Sequence, residues 1–370
     1  MCSSDLVERD RLPDAHDFAR MGALVGGDEG SQILAHVAIV PQGLTGKVPH
    51  ARLLAAMRLC QLWTPKEGKR VGVVEADAIL DITSRAARVT SVLDLIVQGR
   101  TASGVERLAR RLARGKRPRF RFADLDVTPS PRRPHLLAPL DAPEIWGAGI
   151  TYRRSADYYT AHEARGHGAG GSPDPHRGRT KGIYDDVYES ARPELFFKAT
   201  MSRAVGPNGR IAVRRDSQLT AVEPELALVV GAGGAIVAYT VGNDLSAWDI
   251  ERANPLFLPQ SKMFSGCFAF GPVLVTAAEI GDPHTLDLAC TIHRDGRVLW
   301  RGSVNTGEMR RRCPELVEWL ARDNPIPAGT VLSTGTGILV PDEHALRDGD
   351  LVEIELARVG VLRNRVTQHR

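Results

Sequence analysis

The chain has 370 residues, of which 43% are hydrophobic and 25% are charged, and its formal net charge is +4. This is the composition of a globular protein with room for one large domain and a smaller one. The basic excess is weak and only 5% of the residues are aromatic, so we expect no nucleic-acid partner.

Residues 1–56 show little hydrophobic periodicity, which predicts a disordered extension or an over-long start. A small N-terminal α/β domain is predicted over 57–127. It contains a β-hairpin at 70–83 and helices at 91–100 and 105–115, each ended by a glycine.

Five prolines in residues 128–143 predict a linker before a catalytic domain over 144–370. That domain reads mostly as strands, with helices near 152–165, 246–253 and 307–322. We therefore predict an α+β fold that is mostly β, a β-sandwich or rolled sheet. The glycine clusters do not open a helix in a βαβ unit, which argues against a Rossmann fold.

The most apolar run, residues 226–242, is interrupted by GAGG and predicts a buried hairpin, so we expect no membrane span. The N-terminus is polar, unlike a signal peptide. The five cysteines contain no CxxC pair, which favours a reduced, cytoplasmic protein. Residues 165–182 are rich in glycine, proline and charge, which is typical of a mobile loop or lid.

Two carboxylates, Glu223 and Glu225, flank Pro224 at the start of an apolar strand. Side chains at i and i+2 of a strand share a face, so the two carboxylates lie side by side. Both stay ionised only if a cation neutralises them. By itself this pair fits equally well an edge-strand pair bound by Arg214 and Arg215, or a metal site.

The next strand favours the metal site. If GAGG turns the chain, Asp244 returns to the end of the sheet that carries Glu223 and Glu225. Three carboxylates there would suit a hard ion, Mg²⁺, Mn²⁺ or Ca²⁺. Asp244 could otherwise cap a helix that starts near Ser246.

Further polar residues add to this candidate site. Lys262 follows a proline-bounded turn, and a lysine beside a metal has a lowered pKa and can act as a general base. Lys198 follows three apolar residues and could pair with a substrate carboxylate or extend to solvent. The STGTG turn, with Gly335 and Thr336, offers a hydroxyl and backbone N–H groups to an anion.

These motifs carry a family resemblance. The runs RPELFFKA, EPELALVV, GNDLSAWDIE, NPLFLPQSK and STGTG resemble the fumarylacetoacetate hydrolase superfamily, and more closely its 2-keto-3-deoxy-D-arabinonate and 2-keto-3-deoxy-D-xylonate dehydratases. The resemblance covers about 140–360 strongly and 57–125 loosely.

The resemblance implies a rolled β-sandwich catalytic domain, a homodimer or homotetramer, and a small 2-keto acid substrate. It implies Mg²⁺ or a similar ion on three ligands, Glu223, Glu225 and Asp244. It also implies a nearby Lys262 and substrate contacts from Lys198 and Thr336.

Two positions depart from the family pattern. The C–C hydrolases of the superfamily carry a catalytic histidine where this chain has Ser155, which argues against hydrolysis. The family usually has arginine where this chain has Trp248, and tryptophan cannot replace that charge. Arg252 or Arg154 are the candidates to compensate.

The implied reaction is dehydration of 2-keto-3-deoxy-D-pentonate to 2,5-dioxopentanoate in oxidative pentose catabolism. Lys262 is the predicted base, and Glu163 on the following helix is the predicted acid. D-arabinonate and D-xylonate both lead to this substrate, so the site does not distinguish the two pathways. The alternatives are a fumarylacetoacetate or acylpyruvate-type C–C hydrolase, an oxaloacetate decarboxylase, or a non-catalytic metal-binding protein.

Overall fold

The computed structural model describes residues 57–369, except for 167–181 and for the side chains of 163–166. Its described residues belong to one unit, Arg52–Arg370. The predictions made for residues 1–56, for most of the loop 165–182 and for the side chain of Glu163 concern parts of the chain outside this description.

The regular elements are numbered in chain order. The strands are β1 (Arg58–Thr64), β2 (Gly68–Glu75), β3 (Ala78–Asp81), β4 (Phe120–Arg121), β5 (His135–Leu136), β6 (Ile145–Gly149), β7 (Glu194–Ala199), β8 (Ala204–Val205), β9 (Arg210–Val213), β10 (Thr220–Ala221), β11 (Pro224–Val230), β12 (Ile236–Asp244), β13 (Ser246–Ala247), β14 (Phe268–Thr276), β15 (Asp287–Arg294), β16 (Arg297–Asn305), β17 (Thr330–Ser333), β18 (Leu351–Leu356) and β19 (Gly360–Gln368). The helices are α1 (Val92–Gly99), α2 (Ala102–Ala113), α3 (Phe122–Leu125), α4 (Arg153–Gly166), α5 (Ile183–Glu189), α6 (Trp248–Ala253), α7 (Leu258–Lys262), α8 (Ala277–Ile280) and α9 (Cys313–Ala321).

The larger of the two main sheets has twelve strands, with the central order β4-β3-β2-β1-β14-β12-β11-β17-β6-β7. Strand β1 pairs antiparallel with β14, so the predicted N-terminal domain shares this sheet with the predicted catalytic domain. The domain boundary at 128–143 stays a prediction. Strand β5 lies within that segment and pairs with β1.

The second main sheet has five strands in the order β16-β15-β18-β19-β9. On β15 every second residue is buried (Leu288, Cys290 and Ile292), as expected for a strand with one face on the core. All seven residues of β11 are buried, as its apolar sequence predicted. This strand-rich architecture confirms the predicted α+β, mostly β class.

The GAGG segment does turn the chain. A short 3₁₀ turn at Ala232–Gly234 joins β11 to β12, and the two strands pair antiparallel with Pro224 opposite Asn243. The predicted helix at 307–322 is shorter, because Pro314 lies in the first turn of α9 and favours a helix start there. Within the described residues, no helix is long and apolar enough to cross a membrane.

A candidate metal centre and its pocket

Three carboxylates meet where the β11–β12 hairpin opens. The backbone N–H of Asp244 donates to the carbonyl of Glu223 at 2.9 Å, so the ladder itself places these two residues opposite each other. Glu225 lies two residues along β11. One oxygen from each carboxylate lies within 4.8 Å of the others, and all three residues are buried. The predicted acidic set is therefore brought together, and Asp244 belongs to a strand, not to a helix cap.

The chemistry of this set fits a divalent cation. Burial raises the pKa of Glu225 well above its ordinary value, and the negative charges of Asp244 and Glu223 raise it further. A bound cation would remove this repulsion. Three carboxylates and no nitrogen or sulfur ligand among them favour a hard ion.

Glu225 is held in place by the turn after β17. Its Oε2 accepts hydrogen bonds from Ser333 Oγ at 2.5 Å and from the backbone N–H of Gly335 at 2.7 Å. Gly335 has a φ of +92°, and a Cβ there would lie 2.2 Å from Thr151 Oγ1. The turn that we expected to bind a substrate anion thus binds a carboxylate of the protein.

Lys198 contacts the carboxylate triad through Asp244. Its side chain is fully buried, and its Nζ lies 2.5 Å from Asp244 Oδ1. It also donates to the carbonyls of Leu245 at 2.7 Å and Lys262 at 2.6 Å. Lys198 does not line the pocket described below. The expected substrate contact of Lys198 stays a prediction.

Lys262 lies in the pocket beside the carboxylates. Its Nζ donates to Glu223 Oε2 and Ser246 Oγ, both at 2.6 Å, and lies 3.4 Å from Asp244 Oδ2. Burial alone would lower the pKa of Lys262, but Asp244, Glu223 and Glu251 together raise it well above its ordinary value. These acidic neighbours raise it while no cation neutralises them, so the lowered pKa that we expected for Lys262 beside a bound metal stays a prediction.

Glu223 has two further donors, which the sequence did not indicate. The indole Nε1 of Trp248 donates to Glu223 Oε1 at 2.6 Å, and the hydroxyl of Tyr159 donates to the same oxygen at 3.2 Å. Trp248 is fully buried and packs with Tyr159 in a small cluster between α4 and α6.

Several of these residues line one pocket. Its polar lining combines predicted and unpredicted residues: Ser155, Tyr159, Glu194, Glu223, Glu225, Glu251, Lys262 and Thr336. Glu194 and Glu251 are the two pocket carboxylates that sequence reasoning missed. Two sequence features could have indicated them. Glu194 is a carboxylate at the first position of the strand in RPELFFKA, and Glu251 is a carboxylate on the pocket-side helix in WDIE.

Burial raises the pKa of both unpredicted carboxyl groups. For Glu194, the negative Glu223 and Asp244 add to burial while Lys262 opposes them. For Glu251, burial raises the pKa to about 7. Raised carboxyl pKa values in a pocket are typical of groups that exchange protons in a reaction.

The remaining residues singled out in the sequence have hydrogen-bond or ion-pair partners within the protein. Thr336 lines the pocket, and its hydroxyl donates to the carbonyl of Pro224 at 2.9 Å. Ser155 donates to the carbonyl of Thr336 at 2.5 Å. The two arginines suggested as substitutes for the missing arginine have other partners, because Arg252 binds Asp342 and Arg154 binds Glu308.

A mostly β fold with a buried carboxylate triad beside an acidic pocket has the arrangement of a metal-dependent enzyme. The family model described as "Fumarylacetoacetate (FAA) hydrolase C-terminal" matches residues 176–367, and the chain belongs to this family.

Two protein relatives and one solved structure are similar to much of this chain. The chain is 47% identical over 235 residues to "2-dehydro-3-deoxy-D-arabinonate dehydratase" of Saccharolobus solfataricus, covering 64% of this chain and 75% of that protein. It is 39% identical over 319 residues to "Probable 2-keto-3-deoxyxylonate dehydratase" of Haloferax volcanii, covering 86% and 99%. It also resembles a solved structure of "2-keto-3-deoxy-D-arabinonate dehydratase complexed with magnesium and 2,5-dioxopentanoate". That likeness has a TM-score of 0.68 and 35% identity, over 85% of this chain and 100% of the other.

Proposed function

We propose that the protein is a hydro-lyase that converts 2-keto-3-deoxy-D-pentonate to 2,5-dioxopentanoate. The observation that carries the proposal is the buried triad of Glu223, Glu225 and Asp244, which opens into a pocket with further proton-exchanging groups. The relatives with 39–47% identity bear dehydratase names for this substrate class. Ser155, which stands where the family resemblance leads us to expect the hydrolase histidine, also favours dehydration over C–C hydrolysis.

The proposed cofactor is Mg²⁺, with Mn²⁺ or Ca²⁺ as alternatives, held by the three carboxylates. When bound, such an ion supplies Lewis acidity that polarises the 2-keto group and acidifies the C3–H bond. Support comes from the all-oxygen donor set of this chain and from the magnesium in the complex of the related dehydratase.

The protein's own groups would carry the proton transfers. Glu194 lies in the pocket, and no hydrogen bond from another described residue engages its carboxylate, so it is our candidate for the base that removes a C3 proton. Lys262, as an ammonium, would stabilise the negative charge that develops on the C2 oxygen. Proton shifts from the C5 carbinol to C3 and C4 then complete the aldehyde product.

A substrate comparison tests the proposal. Purified protein is incubated with 2-keto-3-deoxy-D-pentonate, an acylpyruvate and oxaloacetate, each with Mg²⁺ or with EDTA, and the products are followed by NMR. We expect 2,5-dioxopentanoate from the first substrate only with Mg²⁺. Preferential cleavage of the acylpyruvate or decarboxylation of oxaloacetate would overturn the assignment, and so would an absence of turnover on all three.

We further propose a homodimer or homotetramer in the cytoplasm. The exposed apolar side chains of Leu256 and Phe257, 84% and 42% exposed, precede the pocket residue Leu258 and support burial by a second copy. Light scattering after size exclusion would measure the mass, and a monomer at micromolar concentration would contradict the assembly.

A further inference from the structure

Glu251 is a pocket carboxyl group that neither the metal centre nor the base role accounts for. It lies on α6, is 6% exposed and lines the pocket. Among the described residues, its hydrogen-bond contact is with Ser261, whose Oγ lies 3.3 Å from Glu251 Oε2. A pocket carboxyl group with one hydrogen-bond contact among the described residues can exchange a proton with a bound molecule.

The contacts of Ser261 accommodate a protonated Glu251. The same Oγ lies 3.0 Å from the carbonyl oxygen of Ala247, which can only accept. A serine hydroxyl has a single hydrogen, so when Ser261 donates it to Ala247, a protonated Glu251 can complete the second contact by donating to Ser261 Oγ. Burial acts in the same direction by raising the pKa of Glu251, the negative Glu223 and Glu194 add to it, and the positive Lys262 opposes it.

The other polar groups of the pocket are engaged elsewhere. Lys262 has Glu223, Ser246 and Asp244 around its ammonium. The hydroxyl of Tyr159 donates to Glu223, and burial raises its pKa well above the ordinary value. The proposed base, Glu194, must be ionised when it acts, so it cannot supply a proton in the same step. The departing hydroxide at C4 needs a proton donor, because water is a much better leaving group than hydroxide.

We propose that Glu251 is the general acid that protonates the departing C4 hydroxyl group. This assignment rests on the proposed function. In the step, the C3–H bond breaks and its electron pair forms the C3=C4 bond. The C4–O bond breaks, its electron pair stays on oxygen, and that oxygen takes the proton of Glu251 and leaves as water. Glu251 becomes a carboxylate and regains a proton from solvent, while the base loses to solvent the proton that it took from C3.

The substitution Glu251→Gln removes the transferable proton and keeps the shape. The amide N–H can still donate to Ser261 Oγ, so the local hydrogen bonds survive. We expect kcat for dehydration to fall about 10²–10⁴-fold, the usual contribution of a general acid. Binding of Mn²⁺, followed by electron paramagnetic resonance, should not change. Glu318→Gln, on an exposed face of α9, is the matched control and should leave both quantities unchanged.

A substrate with fluorine in place of the C4 hydroxyl group separates acid catalysis from a structural role. Fluoride leaves without full protonation, so Glu251→Gln should process the fluoro compound at a rate within about tenfold of the wild-type enzyme. An equal loss on both substrates would overturn the acid role, and so would unchanged dehydration of the native substrate. If the wild-type enzyme eliminates neither water nor fluoride, the proposed function fails together with this assignment.

Discussion

The indole nitrogen of Trp248 donates to Oε1 of Glu223 at 2.6 Å, while Lys262 holds Oε2 of the same carboxylate at 2.6 Å. Both oxygens of one proposed metal ligand are therefore oriented by buried donors. One donor is neutral and stands where the family resemblance leads us to expect a charged arginine. This pairing places Trp248 against a proposed metal ligand, a contact that its sequence position alone did not indicate.

The substitution Trp248→Phe should weaken metal binding and leave the fold intact. It removes the N–H donor to a buried carboxylate and keeps an aromatic ring in the cluster. Groups that orient a metal ligand typically contribute about 10–100-fold to metal affinity. Calorimetric titration with Mn²⁺ would measure the change. Trp300→Phe, on the edge strand β16, is the control and should bind Mn²⁺ like the wild-type protein. Equal affinity in both variants would show that the indole does not position Glu223.

Glu225→Ala should abolish metal-dependent turnover while the protein stays folded. The change removes one of the three proposed ligands. The carboxyl group that is lost is buried, and burial raises its pKa well above normal. Circular dichroism would check the fold, and Mn²⁺ titration would check the site. The exposed Glu318→Ala serves for comparison. Full activity in Glu225→Ala would refute the metal site.

Lys198→Met should destabilise the protein strongly. It removes the nearer of the two ammonium groups beside the buried Asp244, and breaking a buried ion pair from one side costs about 3–5 kcal/mol. The comparison is Lys69→Met, whose ion pair with Asp141 is more than a third exposed and contributes at most about 1 kcal/mol. Urea unfolding of both variants measures the difference in the free energy of unfolding. Similar values for the two would contradict the structural role of Lys198.

Gly335→Ala should impair both stability and metal binding. The new Cβ would lie 2.2 Å from Thr151 Oγ1, and the shift this forces would move the N–H that holds Glu225. Gly115→Ala is a close control, because Gly115 also has positive φ, +74°, but nothing lies within 4 Å of its Cβ position. Both variants carry the backbone strain of about 1–2 kcal/mol. Only Gly335→Ala should also lose Mn²⁺ affinity, and retention of that affinity would argue against the turn as a support for Glu225.

The grouping of the three carboxylates could be predicted because their placement depends on local rules. Side chains alternate along a strand, which put Glu223 and Glu225 together, and the turn at GAGG returned Asp244 to the same end. The roles of the lysines could not be predicted in this way. Lys198 and Lys262 both face the triad, but which partners surround each ammonium depends on how β7 and α7 pack against the hairpin.

The sequence by itself therefore determined the strand-rich fold class, the hairpin and the carboxylate triad, since periodicity and turns act over a few neighbouring residues. Only the tertiary structure decided that Glu194 and Glu251, 57 positions apart by sequence numbering, line one pocket. It also decided that Trp248 faces Glu223. Contacts between distant segments follow from the packing of whole elements, and the burial that raises the pKa of a carboxyl group exists only once those elements have come together.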